Sequence, residues 1–201
     1  MAMRYLSIDL EATGLRENDY IIELAFVPFD SKADEIPTEL SLHTFVQCPS
    51  FEKLKPTLDP WVVEHNEKLI KNAHDKGLTL PELKAKITEY LESLPIRNYF
   101  GSEKITLFGK SMNAIDLPFL NRDLGFEYMR KYFHHRDLDL SSSARTLIDM
   151  GILPSSSASG SELMKLLGLG EVVHTALEDA INTAKLYIGI INKFGANAKK
   201  K

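Results

Sequence analysis

The chain has 201 residues, of which 44% are hydrophobic and 26% charged, with a formal net charge of −4 and one cysteine. This length fits one globular domain, and no run of about eighteen apolar residues predicts a membrane span. The lone Cys48 excludes an internal disulfide and a cysteine-rich zinc site. The N-terminal residues lack a signal-peptide pattern, so a reducing cytoplasm is the expected location. The acidic balance excludes a protein that coats long nucleic acid through a basic face, but it allows an enzyme that grips a short one.

Three strands are predicted at the start of the chain. Residues 4–9, 20–29 and about 40–47 are rich in β-branched and aromatic residues between polar stretches, so we expect three antiparallel neighbours. Two helices follow, one near residues 60–75 and one that begins at Thr79, where Thr-Leu-Pro-Glu has the capping-box pattern. The inward face of the second helix is predicted to carry five apolar residues, Leu83, Ile87, Tyr90, Leu91 and Leu94.

The rest of the chain alternates strands with helices. The predicted elements are, in order, a strand at 105–108, a helix carrying Leu117, Leu120 and Leu124, a strand at 138–140, a helix near 141–150, a flexible serine-rich loop at 155–161, a short helix stopped by Gly168, and a long helix at 175–194. This order predicts an α/β fold with a mixed sheet and helices packed on it. We expect one domain over residues 1–195 and a disordered basic tail at 196–201.

Two acids stand two residues apart where the first strand ends. Side chains alternate along a strand, so Asp9 and Glu11 project to one face while Ile8 and Leu10 point to the other. Adjacent carboxylates repel unless a cation lies between them, and two divalent metals bridged by carboxylates suit phosphodiester hydrolysis. Taken alone, Asp-x-Glu is better explained by an exposed strand face or a polar turn. Its place before Gly14, where a strand breaks into a loop, favours a ligand site.

Two further acids and a histidine are candidates for the same site. Asp116 comes two residues before Pro118, which belongs in the first turn of a helix, so Asp116 either caps that helix or binds a ligand. Asp179 lies between Ala176 and Ala180, small residues that suit a helix pressed against a sheet. His174 is five residues before Asp179, so the two converge only if His174 leans over the helix from the preceding loop. A histidine is a suitable base for water near neutral pH.

Together the three segments resemble the DEDDh 3′→5′ exonucleases of the ribonuclease H-like superfamily. The matching motifs are Asp9-Leu10-Glu11-Ala12-Thr13-Gly14, Asp116, and His174-Thr175-Ala176-Leu177-Glu178-Asp179-Ala180. The resemblance covers residues 4–190 and implies a ribonuclease H-like α/β fold with a five-stranded mixed sheet flanked by helices. It further implies that Asp9, Glu11, Asp116 and Asp179 bind two divalent ions, Mg²⁺ or Mn²⁺, that His174 is the general base, and that nucleoside 5′-monophosphates are released. The tyrosine subclass has its base at the position of Thr175, so the histidine subclass is indicated.

Within this family the sequence is most similar to the oligoribonucleases, which act on short RNA as homodimers. Their opening motif matches residues 9–15, and their Tyr-Phe-His-Tyr-Arg-x-Leu-Asp stretch matches residues 132–139 with His135 in place of tyrosine. The resemblance implies substrate contacts from Thr13, Gly14, Leu15, Trp61 and His65. For Trp61, base stacking and core packing are equally consistent with the sequence. A broader single-strand DNA/RNA exonuclease, a polymerase-associated proofreader and an inactive nucleic-acid-binding protein remain alternatives to a short-RNA exonuclease.

Overall fold

A computed structural model of the chain describes residues 3–169 and 175–195. The five strands are β1 (Arg4–Ala12), β2 (Ile21–Asp30), β3 (Leu42–Phe45), β4 (Leu107–Gly109) and β5 (Leu138–Asp139). The helices are α1 (Phe51–Leu54), α2 (Pro60–His65), α3 (Glu67–Lys76), α4 (Leu80–Glu92), α5 (Leu94–Phe100), α6 (Asp116–Leu124), α7 (Phe126–Tyr132), α8 (Leu140–Asp149), α9 (Gly160–Leu167) and α10 (Ala176–Phe194).

The strands form one mixed sheet in the order β3-β2-β1-β4-β5. β1, β2 and β3 are antiparallel neighbours, as the sequence predicts, whereas β4 and β5 run parallel to β1. The carboxyl ends of β1, β4 and β5 therefore meet at one edge of the sheet. The register of β1 against β2 is broken by a bulge between Glu11 and Ala12, a feature that redirects side chains at the end of a strand.

Helices cover both faces of the sheet, which confirms the predicted fold class. One face packs Leu6, Ile8 and Leu10 of β1 against α4, α6 and α7. The opposite face packs Tyr5 and Phe29 against α8, α9 and α10. A smaller cluster joins α1, α2 and α3 to Ile22. No helix within the described ranges is long and apolar enough to cross a membrane.

Three details of the predicted helices are wrong, each for a local reason. The helix expected at 60–75 is two helices, because Asn66 leaves the helical conformation with φ −107° and ψ 6°. Leu94 is 75% exposed, because α4 ends before Ser93 and Leu94 begins the next helix. The serine-rich stretch predicted as a flexible loop instead forms a 3-10 turn over Ser155–Ala158 and then the start of α9.

Other predicted features are confirmed. Thr79 caps α4 in a capping box with Glu82. Gly168 ends α9 in the left-handed conformation with φ 70°, where glycine has no steric penalty. The tail at 196–201 lies outside the described residues.

Candidate active site

Three carboxylates converge at the sheet edge where β1 ends. Asp9, Glu11 and Asp179 each offer an oxygen, and these oxygens lie within 4.8 Å of one another. Asp9 and Glu11 share a face of β1 because of the strand alternation, and Asp179 reaches them from the first turn of α10. The structure therefore brings together residues that are about 170 positions apart in the sequence.

Asp179 approaches the sheet closely because its neighbours on α10 are small. Ala176 and Ala180 are both fully buried and pack against Ala25 and Val27 of β2. The Ser7 hydroxyl donates a hydrogen bond of 2.8 Å to the Ala180 carbonyl and joins the helix to β1. The prediction that Asp179 would lie partly buried beside an alanine seam is confirmed.

Asp116 lies beside the three carboxylates but is held differently. It is the first residue of α6, whose N-cap is Ile115, so the expectation that Asp116 caps this helix is wrong. Its Oδ1 instead accepts a hydrogen bond of 3.1 Å from the backbone N–H of Leu10, the residue between Asp9 and Glu11. Asp116 is 6% exposed, and this bond fixes the start of α6 against β1.

Burial and neighbouring negative charges destabilise the charged forms of Asp9, Glu11 and Asp116. Burial, and then the charges of Asp116, Asp179 and Glu11, raise the pKa of Asp9 well above its ordinary value. Burial followed by the Asp179 charge raises the pKa of Glu11 to about 7. Burial is also the main cause that raises the pKa of Asp116 to about 7. Such a cluster has excess negative charge at neutral pH, and a cation would relieve it.

The donor set suits a hard divalent cation. Mg²⁺ and Mn²⁺ prefer carboxylate oxygens, and the three converging oxygens are close enough to share an ion. Beside them lies a cavity of about 300 Å³, which is lined by Asp9, Asp179, Lys110 and the first residues of α9. Lys110 is the cationic side chain here, and its charge opposes the rise in the pKa of Asp9.

A second cavity, of about 520 Å³, opens on the Glu11 side of the strand end. It is lined by Thr13, Gly14, Leu15 and Trp61, four of the five residues predicted to contact substrate. Leu15 is 75% exposed and Trp61 is 54% exposed. The core-packing interpretation of Trp61 is therefore wrong, because the neighbouring Val62 fills the core position.

The fifth residue, His65, supports the tryptophan rather than lining the cavity. Its ring stacks on Trp61 with centroids 4.5 Å apart and an interplanar angle of 14°. Its Nδ1 lies 2.8 Å from the Trp61 carbonyl oxygen, one helical turn away. The pair forms a flat aromatic platform at the cavity mouth.

The loop after β1 is held rigidly by Asp19. Its carboxylate accepts hydrogen bonds from the Arg16 N–H at 2.7 Å and from the Thr13 hydroxyl at 3.4 Å. A Cβ on Gly14 would lie 2.4 Å from this carboxylate, so a larger residue would displace the Asp19 side chain from its hydrogen bonds. Thr13 is 2% exposed, and its hydroxyl also accepts from the Tyr20 N–H at 2.9 Å. Thr13 and Gly14 therefore shape the cavity wall.

His174 lies outside the described residues. The residue after it, Thr175, caps α10, because its hydroxyl accepts a hydrogen bond of 3.3 Å from the Glu178 N–H.

Two acids that sequence reasoning did not select also organise the site. Asp139 is 9% exposed and accepts hydrogen bonds from the N–H groups of Met112 and Ser142, which ties the loop before Asp116 to α8. Glu23 is 2% exposed within the apolar run of β2. An acid in the interior of the apolar run at residues 21–29 is the signal that could have identified Glu23.

Comparisons with known proteins agree with this geometry. A family model described as Exonuclease matches residues 6–187. No curated protein matches the chain. The solved nuclease domain of 3′hExo, a DEDDh family member bound to rAMP, has a TM-score of 0.67 and 18% identity, over 95% of this chain and 92% of that one.

Two other solved structures have the same fold. Product-bound exonuclease I has a TM-score of 0.68 and 17% identity over 96% of this chain, which spans 44% of that protein. The Mg²⁺- and Mn²⁺-bound form of S. pombe Pop2p has a TM-score of 0.67 and 15% identity, over 95% of this chain and 84% of that one. Because the family model covers nearly the whole sequence, the chain belongs to the exonuclease family and is a metal-dependent nuclease with a ribonuclease H-like fold.

Proposed function

We propose that this exonuclease removes nucleotides one at a time from the 3′ end of short single-stranded RNA and releases nucleoside 5′-monophosphates. The observation that carries the proposal is the convergence of Asp9, Glu11 and Asp179 between two cavities of different character. One cavity has an aromatic platform suited to a base, and the other has a lysine suited to a phosphate.

Four acids would hold the metal ions. Asp9, Glu11 and Asp179 supply converging oxygens, and Asp116 is oriented next to them by its bond to the Leu10 N–H. Two divalent ions bound there would supply the positive charge that activates water near neutral pH and stabilises the leaving 3′ oxygen. His174 would accept the proton of the attacking water, a role that rests on the family resemblance.

The apolar cavity would hold the 3′-terminal nucleotide. Trp61, stacked on His65, offers a flat ring for a base, and Leu15 offers an exposed apolar side chain nearby. Stacking on aromatic side chains is tolerant of base identity, as an exonuclease needs to be. On the other side of Asp9, the Lys110 ammonium would attract the phosphate backbone of the remaining chain.

A short substrate and a preference for RNA are the finer parts of the proposal. The net charge of −4 argues against an extended basic face that would bind a long nucleic acid. The oligoribonuclease-like motifs at residues 9–15 and 132–139 support short RNA, and the solved 3′hExo domain was bound to rAMP. By the same resemblance we propose a homodimer. A broader DNA/RNA exonuclease and a polymerase-associated proofreader are the competing substrate assignments.

A length series separates these assignments. RNA and DNA oligomers of equal sequence, from about two to twenty nucleotides and labelled at the 5′ end, are incubated with the protein and Mn²⁺. The proposal expects the fastest shortening for the shortest RNA. Equal rates on DNA and long RNA would favour the broader enzyme, and preference for a mismatched DNA end would favour a proofreader.

A pair of adjacent variants tests whether the carboxylate site performs the reaction. Asp179→Asn replaces one of the three converging carboxylates with a neutral amide. Glu178→Gln makes the same replacement at the neighbouring exposed acid. We expect Asp179→Asn to lose nearly all activity and Glu178→Gln to retain it. Full activity in both variants would contradict the assignment of the reaction to these carboxylates, whereas a wild-type protein that binds RNA without shortening it would favour an inactive binding protein.

A further inference from the structure

A buried acid lies next to the metal-site carboxylates without belonging to them. Glu23 of β2 is 2% exposed and is paired in register with Glu11 of β1. Both of its carboxylate oxygens are used: Oε1 accepts from His43 Nε2 at 2.5 Å, and Oε2 accepts from the Ala176 N–H at 3.0 Å. The acid therefore links β3, at the edge of the sheet, to the first residue of α10.

The start of α10 needs such a partner. The first N–H groups of a helix have no acceptor within the helix, and Ala176 is fully buried, so water does not reach it. The Thr175 hydroxyl, one residue before the helix, accepts a hydrogen bond from the Glu178 N–H. Glu23, on β2, accepts the hydrogen bond from the Ala176 N–H. Its negative charge lies at the positive end of the helix dipole.

Directional contacts matter at the start of α10, because the large side chains of this helix pack further along it, where Tyr187 contacts Tyr5 and Phe108. Near Asp179, Ala176 and Ala180 pack on Ala25 and Val27, and such small apolar contacts set the distance between helix and sheet without fixing the position of this first turn along the helix axis. Two hydrogen bonds add a restraint at this end of the helix. Glu23 holds the N–H of Ala176, and Ser7 holds the carbonyl of Ala180, so the bonds lie on either side of Asp179 in the sequence.

We propose that Glu23, oriented by His43, is a positioning residue that fixes α10 along the sheet and keeps the Asp179 oxygen beside those of Asp9 and Glu11. This inference rests on the proposed function, which takes these three residues as metal ligands. Replacing a residue that orients metal ligands from outside the ligand set typically lowers metal affinity by about tenfold to hundredfold.

The choice of a carboxylate at this position supports the proposal. Glu23 adds negative charge beside Glu11, and this charge contributes to the raised pKa of Glu11. A glutamine would avoid the repulsion, but its amide has one oxygen and would present an NH₂ group either to His43 or to Ala176. Only a carboxylate accepts both hydrogen bonds, so the contacts with His43 and Ala176 explain why an acid stands at this position.

Metal binding without nucleic acid tests the role directly. Free Mn²⁺ is measured by electron paramagnetic resonance during titration of the wild type, Glu23→Ala, Glu23→Gln and His43→Ala. We expect Glu23→Ala to weaken Mn²⁺ binding by about tenfold to hundredfold. The Mn²⁺ affinity of Glu23→Gln should lie between those of Glu23→Ala and the wild type, because the amide oxygen of the glutamine still accepts a hydrogen bond from the Ala176 N–H. His43→Ala should shift affinity in the same direction by less, since Glu23 stays in place.

A matched control and a second readout separate positioning from general stability. His74→Ala removes another histidine that bonds across elements, its Nδ1 lying 3.0 Å from the Cys48 carbonyl, and it should leave Mn²⁺ affinity unchanged. Amide hydrogen exchange in the metal-free protein should become faster at Ala176 in Glu23→Ala but not at Ile188, late in α10. A variant that is merely less stable would lose folded protein while the folded fraction bound Mn²⁺ normally.

Each outcome has a distinct meaning. Wild-type Mn²⁺ affinity and a protected Ala176 amide in folded Glu23→Ala would overturn the inference. If Glu23→Ala does not fold, wild-type affinity in both Glu23→Gln and His43→Ala would overturn it. A wild-type protein that binds Mn²⁺ in a Glu23-dependent way but shortens no RNA would contradict the proposed function and leave the positioning role standing.

Discussion

Replacing Glu11 by glutamine should make the metal-free protein more stable and the metal-bound protein less stable. Burial and the Asp179 charge raise the pKa of Glu11 from 4.5 to about 7. A shift of this size corresponds to about 3 kcal/mol of unfavourable free energy for the charged form above pH 7. Because neighbouring acids share the repulsion, we expect Glu11→Gln to gain about 1–3 kcal/mol at pH 8 in the presence of EDTA.

The pH dependence follows from the sign of the shift. Between pH 4.5 and 7 the folded protein keeps the Glu11 proton while the unfolded chain has lost it, so stability falls as the pH rises through this window. The gain from Glu11→Gln should therefore be near zero below pH 4.5 and reach its full value above pH 7. For a chain of this length, 1 kcal/mol corresponds to a Tm change of about 2–4 °C.

Thermal unfolding at several pH values measures the stability of the metal-free protein in EDTA and of the metal-bound protein in Mn²⁺. Mn²⁺ at about 1,000 times its Kd should stabilise the wild type by about 4.1 kcal/mol, and Glu11→Gln much less, so the order of the two proteins reverses. Glu89→Gln, an exposed change on α4, is the control and should follow the wild type. A Glu11→Gln protein that is less stable than wild type in EDTA at pH 8 would refute the electrostatic reasoning.

Three further predictions concern the reaction. His174→Ala should lower kcat by about 10²–10⁴-fold and remove one limb of the pH–rate profile, and an unchanged profile would exclude it as the base. Trp61→Ala should raise KM by about tenfold, the equivalent of one lost base-stacking contact, with kcat nearly constant in steady-state assays. Lys110→Ala should lower kcat/KM and flatten its dependence on salt, whereas an unchanged salt slope would show that Lys110 contacts no phosphate.

Local patterns in the sequence predicted the elements that depend on near neighbours. The period-two alternation placed Asp9 and Glu11 on one face of β1, and the capping box located the start of α4 at Thr79. The failures also have local causes, which the pattern of apolar residues does not reveal. Leu94 continues the apolar stripe of α4, but the chain turns at Ser93 and Leu94 starts a new helix in solvent.

The convergence of the site could not be derived from spacing alone. The approach of Asp179 to Asp9 depends on the sheet order and on the contact of α10 with β1 and β2, which are long-range properties. Only the resemblance to a known family joined the three segments. Asp116 illustrates the limit, because its position before Pro118 predicted a helix cap, whereas its partner is the Leu10 N–H, 106 residues away.

The buried acids around the site divide into two kinds by what their oxygens bind. Asp116 accepts from the Leu10 N–H and Glu23 from the Ala176 N–H, so each ties a helix to the β1–β2 pair. Asp9 and Glu11 instead project from β1 into the space where Asp179 arrives. Glu23, which holds only the frame, and Asp116, which both holds α6 and is proposed to bind metal, thus lie close to Asp9 and Glu11, and their charges contribute to the raised pKa values there. Precise placement of the helices and instability without metal are therefore two consequences of one arrangement of carboxylates.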